Sequence, residues 1–151
     1  MRTTTRTDSA DAGFVALVQQ LDADLAARDG QEHSFYAPFN KIDGIRHAII
    51  IQENGVAVSC GAMKPFDELS MEVKRMFTVP QSRGQGLATT VLGELETWAA
   101  ELGFERCVLE TGKRQPEAIE LYQKNGYRII ENYGQYAGVE NSVCFEKKLT
   151  R

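Results

Sequence analysis

The chain is poor in the residues that hold metals or staple small folds. Its 151 residues include three cysteines and two histidines. Cys60, Cys107 and Cys144 are odd in number and scattered among strand-forming residues, and His33 and His47 stand apart. That pattern gives neither a disulfide framework nor a zinc-ligand spacing, so no metal site is expected. Positive charge is not in excess either. Seventeen Lys+Arg against twenty-one Asp+Glu give a formal net charge of −4, which argues against a general affinity for nucleic-acid phosphates or anionic lipid. No apolar run approaches the length that crosses a bilayer. Arg2 and Arg6 are not followed by the apolar stretch of a secretory signal. These absences predict a reduced, cytoplasmic, metal-free protein without a membrane or nucleic-acid partner.

What is present is an ordinary globular composition, 42% hydrophobic and 25% charged. The length suits a single domain over 1–151, and no repeat, low-complexity tract or linker divides it. Residues 10–28 carry Phe14, Leu17, Val18, Leu21 and Leu25 three or four apart, the stripe of an amphipathic helix. Asp8 or Ser9 is placed to cap its start, and Gly30 lies just past its end. Residues 31–44 have no readable period. Residues 45–52 and 56–63 are β-rich and meet across Asn54-Gly55, a dipeptide that accepts positive φ and so predicts a tight hairpin. A third strand is expected over 71–79.

From there the pattern alternates. A helix is expected over 86–102, a strand over 104–110, and a helix over 116–125 opened by Pro116 and followed by Gly126. Two strands, 127–130 and 143–148, close the chain. The order predicts an α/β fold: a mixed sheet, antiparallel at first, with a parallel unit in its second half.

The chemistry concentrates where the third strand ends. Pro80-Gln81-Ser82 leads into Arg83-Gly84-Gln85-Gly86-Leu87-Ala88 and directly into a helix. The first N–H groups of a helix lack internal partners, and its dipole adds positive potential. Glycines at 84 and 86 let the backbone wrap an anion and Arg83 adds a charge, which together describe a diphosphate cradle. A dinucleotide-binding turn uses similar parts, and Glu110 mimics its ribose-binding acid. Thr89 at the third glycine position, and the four residues between the strand and Gly84, depart from that fingerprint. A plainer reading has the glycines only shaping a turn.

Together with the second half of the chain, these residues resemble the GNAT superfamily of acyl-CoA-dependent N-acetyltransferases. Gln81 through Ala88 fits its R/Q-x-x-G-x-G/A acetyl-CoA loop. Ala118-Ile119-Glu120-Leu121-Tyr122-Gln123-Lys124-Asn125-Gly126-Tyr127 is similar to its A-x-x-L-Y-x-K-x-G-F segment, with Tyr127 in place of Phe. Leu109-Glu110-Thr111 and the closing run from Cys144 to Leu149 agree as well, so the resemblance covers about residues 45–149.

The resemblance implies a GNAT-like fold, a helix-flanked mixed sheet whose two central parallel strands splay into a V-shaped cleft. It implies acetyl-CoA as co-substrate and no metal. Main-chain groups of Phe77, Thr78 and Val79 would pair with the pantetheine amides as an added strand would. Amides of Arg83, Gly84, Gln85, Gly86, Leu87 and Ala88 would take the pyrophosphate. The implied reaction moves acetyl directly to a primary amine of a small molecule, such as an amino acid or polyamine. A peptide or protein amine, or an acyl-CoA-binding module without turnover, are the alternatives. A homodimer is compatible with the resemblance.

Direct transfer needs a neutral amine, hence a base or a water chain leading to one, and a proton for the departing thiolate. By the resemblance, Glu72 near the start of the third strand is the base and Tyr122 the acid. A surface ion pair and a core tyrosine are their plainer readings. His33 and Asn40 in the aperiodic segment, and Tyr133 and Tyr136 in the 131–142 connection, are candidate acceptor contacts. A connection of that length is either disordered or used, and its two tyrosines point to a loop ordered over the acceptor pocket. His47 is expected to face solvent and Cys107 to fill the core.

Overall fold

The computed structural model of the protein describes residues 1–30 and 44–149. The chain runs through β1 (Arg2–Thr7), α1 (Ala12–Asp29), β2 (His47–Glu53), β3 (Val56–Pro65) and β4 (Ser70–Thr78). It continues through α2 (Leu87–Glu101), β5 (Arg106–Gly112), α3 (Pro116–Lys124), β6 (Arg128–Ile130) and β7 (Ser142–Lys148). Among the described residues these strands form one seven-stranded sheet in the order β1-β2-β3-β4-β5-β7-β6. Every neighbouring pair is antiparallel except β4 and β5. The expected mixed α/β architecture is therefore observed.

Two details differ from the sequence reading. β1 is not announced by any alternation, because Thr3, Thr4 and Thr5 are all exposed. It is an edge strand of β-branched residues, and Arg6 fastens it by two 2.9 Å hydrogen bonds to Glu101 at the end of α2. The cap of α1 is Asp11 instead of Asp8 or Ser9: its carboxylate accepts from the Phe14 amide at 2.9 Å. Asp8 closes the preceding turn by accepting from the Ala10 amide. The hairpin between β2 and β3 forms as expected, with φ of 51° at Asn54 and 84° at Gly55.

The helices sandwich the sheet. A methyl at Gly13 of α1 would lie 3.9 Å from Ile50 Cδ1, whereas one at Gly61 would meet Val91 and Leu95 of α2. Gly61 opposes Ile49, and successive strand residues point to opposite faces. α1 therefore covers the Ile50 face and α2 the Ile49 face. α1 buries Phe14, Leu17, Val18, Leu21 and Leu25, and α2 buries Leu87, Val91, Leu92, Leu95 and Ala99. Cys60, Cys107 and Cys144 are free and buried, and burial pushes the Cys107 thiol up to about 12. Cys107 fills the core, as expected.

The feature that makes a site is the short pairing of β4 with β5. They are joined only from Ser70↔Arg106 to Glu72↔Val108. β4 then runs on to Thr78 beside β3, while β5 runs on to Gly112 beside β7. A bulge in β4 follows three residues after the pairing ends. Cys60 opposes Phe77 and Ala62 opposes Lys74, so Gly61 faces both Arg75 and Met76. Arg75 takes φ 60°, the left-handed region. A bulge bends and twists its strand, which suits a strand leaving its neighbour. Gly61 makes room for it: a methyl there would sit 2.4 Å from Met76 Sδ.

Candidate active site

The wedge between β4 and β5 opens into a cavity of about 460 Å³. Its walls are α1, β4 from Glu72 to Thr78, the turn before α2, the end of β5, and α3.

One end is a cradle of unpaired amides. Gly84 and Gly86 take φ of 80° and 78°, and a Cβ at either would meet nothing within 4 Å. Among the described residues, the main-chain N–H groups of 84–89 donate to no carbonyl, and the first such bond runs from Thr90 to the Gly86 carbonyl at 3.1 Å. These amides gather at the N-terminus of a fifteen-residue helix, where the dipole adds to their attraction for an anion. The Arg83 amide is already engaged with the Pro80 carbonyl at 3.3 Å. Its guanidinium donates from Nε to the Thr78 carbonyl at 2.8 Å and lies 5.6 Å from the Phe77 ring centre. The Gln85 side chain turns away to accept from Arg2 at 2.6 Å, leaving only its main chain for the cradle.

Among the described residues, the inner edge of β4 beyond Glu72 has no strand partner. Phe77 and Thr78 line the cavity, and Val79 does not. The Val79 amide donates to Val58 and its carbonyl accepts from Ser82, both at 2.9 Å. Of the three strand residues expected to meet an extended ligand, Phe77 and Thr78 have carbonyls held by side chains, of Ser59 at 3.2 Å and Arg83 at 2.8 Å, which can let go.

Tyr122 lies on the cavity wall and is 6% exposed. Its ring packs 5.8 Å from both Tyr127 and Phe145, so the core-packing role is present alongside the cavity contact. Burial first, and the nearby Glu110 charge second, push its phenol well above the ordinary range and keep it protonated.

The opposite end is polar and buried. Glu72 is not a surface ion pair: its side chain is 5% exposed, with Oε1 3.5 Å from the buried ammonium of Lys74. Its Oε2 accepts from the Tyr133 hydroxyl at 2.7 Å. Burial lowers the Lys74 pKa and Lys64 adds to the shift, while Glu72 opposes it. The 131–142 connection carries internal hydrogen bonds. Asn132 ties it by donating to the carbonyls of Val139 and Ser142, both at 3.0 Å. Tyr136 lines the cavity, but Tyr133 stands behind Glu72, with its ring edge-on to Phe66 at 4.8 Å. Tyr133 therefore braces an acid instead of forming the cavity wall. Glu110 enters from β5, accepting from Ser142 Oγ at 2.7 Å.

His33 and Asn40 lie outside the described residues. His47 does not face solvent as expected. It is half-buried edge-on to Trp98 at 4.8 Å, and burial, followed by the charge of Arg46, lowers its pKa. Lys74, Arg75 and Arg28 line the cavity without having been singled out from the sequence, and Glu110, noted there only as mimicking a ribose-binding acid, lines it too. For Lys74 and Arg75 a signal existed, namely two adjacent cations in a strand between apolar Val73 and Met76. Arg28 bridges helices by meeting both Asp24 and Glu117, and only its spacing from Asp24 was visible.

Residues 14–127 match the model of the Acetyltransferase (GNAT) family. The chain belongs to that family. This GNAT domain is 34% identical over 102 residues to an IAA acetyltransferase of Azospirillum brasilense, a match covering 67% of each chain. Among solved structures, one named as an acyl-CoA N-acyltransferase of Klebsiella pneumoniae subsp. pneumoniae MGH 78578 superposes with a TM-score of 0.82 at 35% identity, over 99% of both chains. A GNAT family acetyltransferase of Elizabethkingia anophelis, solved with acetyl-CoA bound, shares the fold at a TM-score of 0.69 and 17% identity, over 98% of both. The splayed GNAT sheet and the family match rest on different observations and agree.

Proposed function

We propose that this GNAT domain moves an acetyl group from acetyl-CoA to the primary amine of a small molecule. The observation that carries the reading is the run of amides at 84–89 with no carbonyl partner among the described residues, opening into the same cavity as Tyr122 and Glu72. Those amides fit a diphosphate, with the Arg83 guanidinium beside it. The open edge of β4 at Thr78 fits the amide-bearing arm that follows the diphosphate. When bound, acetyl-CoA supplies an activated thioester.

The protein's own groups then manage two protons. Glu72 accepts one from the acceptor ammonium, directly or through water, and frees the nitrogen lone pair. As the new C–N bond forms and the C–S bond breaks, the Tyr122 phenol protonates the departing sulfur, and the second proton that the nitrogen sheds on becoming an amide restores the phenol. A thiol titrates near 8.5, so protonation at neutral pH opposes the reverse reaction. Tyr133 and Lys74 hold the Glu72 carboxylate in place during the exchange. Tyr122 on the cavity wall favours turnover over a silent binding module.

Calorimetric titration with acetyl-CoA, followed by thiol release with a panel of amines, tests the reading. Saturable binding and amine-dependent thiol release are expected. Absence of binding would refute it, and binding without release from any amine would leave only a binding module.

A further inference from the structure

The bulge in β4 does something besides opening the wedge. Lys74 opposes Ala62, which in turn opposes Ala48, so it points to the face covered by α1. Arg75 reaches the same face, because its Nη2 meets Asp22 of α1. Two consecutive cations thus share one side of the strand, which regular alternation forbids and the left-handed Arg75 backbone permits.

Arg75 is unusually placed for a structural arginine. Its side chain is 2% exposed, yet its acidic partner Asp22 is half exposed on the helix surface. Its Nε is buried and has no hydrogen-bond partner among the described residues. A buried guanidinium with an incomplete set of acceptors is costly, and this one lines the cavity beside Lys74, Glu72 and Glu110.

We propose that Arg75, supported by Lys74, binds a carboxylate on the acceptor, so that the acceptor is an amino acid with its amine turned toward Glu72. This rests on the acetyltransferase reading of the same cavity. The planar guanidinium fork matches a carboxylate. A phosphate dianion would be repelled by Glu72 and Glu110. A polyamine would bring a second ammonium against Lys74 and Arg75. A free amino acid and the end of a peptide present related groups, but a peptide's first residue has lost its carboxylate to an amide bond.

The test is kinetic, at saturating acetyl-CoA. A panel of L-amino acids is screened by mass, and each substrate is compared with its carboxamide, its decarboxylated amine and a dipeptide beginning with it. The acid is expected to lead by about ten- to a hundredfold in kcat/KM, chiefly through KM, as loss of a charge-assisted pair requires. R75Q is expected to bring the acid down to the level of its amide, and R75K to restore part of the preference. Stabilisation of the CoA-bound protein by the N-acetylated acid, and not by its amide, is expected in a thermal shift assay.

Equal or better turnover of the amide, the decarboxylated amine or the dipeptide would overturn the inference. So would an acid preference that survives in R75Q, or an acid that neither turns over nor protects the CoA-bound protein. Failure to bind acetyl-CoA at all would instead overturn the acetyltransferase reading beneath it.

Discussion

The Tyr133 hydroxyl donates to Glu72 Oε2 at 2.7 Å, joining a loop residue to a strand residue sixty-one positions earlier. The contact ties the 131–142 connection to β4 and engages one oxygen of the proposed base. Glu72→Gln should lower kcat by about 10²–10⁴-fold, the usual span for a positioned base. Tyr133→Phe removes one hydrogen bond to the carboxylate and should lower kcat by about tenfold. Neither should alter acetyl-CoA affinity measured by calorimetry. A wild-type kcat in Glu72→Gln would leave the proton to water or another group.

Tyr122→Phe keeps the ring against Tyr127 and Phe145 but removes the proton offered to the sulfur. Steady-state kinetics should show kcat lower by roughly ten- to a thousandfold. Melting temperature and acetyl-CoA affinity should hardly move. Undiminished turnover would confine Tyr122 to packing.

The cradle can be tested without chemistry. Arg83→Ala should weaken acetyl-CoA binding by about ten- to a hundredfold, through loss of a charged donor near the diphosphate. Gly86→Val should weaken it further, because the side chain would enter the space that is open in front of the amides. It also forces a β-branched residue to a φ of 78°. Unchanged affinity in both variants would move the anion elsewhere.

A pH effect on stability should come from Glu146, which ties three strands by accepting from Arg106 at 3.0 Å and Arg128 at 2.6 Å. Arg128, then Arg106, holds its carboxyl below the ordinary value near 4.5, against the opposing effect of burial. Between the folded value and 4.5 the unfolded chain binds the extra proton, so the stabilisation present above 4.5 is lost as pH falls through the folded value. Arg128 is exposed, and screening limits the net contribution to about 1 kcal/mol. Glu146→Gln should therefore lower Tm by about 2–4 °C at pH 7. The gap between variant and wild type should close in acid, as followed by thermal melts across pH.

Much of the fold was legible because its signals are local. The stripe of Phe14, Leu17, Leu21 and Leu25, the Asn54-Gly55 turn, and the Pro116 start of α3 each act within a few residues. The cradle was legible for the same reason, since glycines, arginine and helix start are contiguous. β1 was not, because an all-polar edge strand has no apolar period and owes its place to partners such as Glu101. The two cations at Lys74 and Arg75 were visible, but not that both face the cavity: one extra residue in β4 shifts which side chains reach it, and that bulge depends on Gly61 across the sheet. Tyr133 was placed near the acceptor by the length of its loop and the two tyrosines in it. Its actual partner, Glu72, is a long-range contact that no spacing encodes.

The central claim is that acetyl leaves the thioester for an amine inside the β4–β5 wedge with Tyr122 as the acid. Its most direct test follows free thiol and acetylated amine together in wild type and Tyr122→Phe, both saturated with acetyl-CoA. One thiol released for each amide formed, with the rate strongly reduced in the variant while acetyl-CoA affinity is retained, is the predicted result. Thiol release that is independent of the amine, or equal rates in the two proteins, would contradict it.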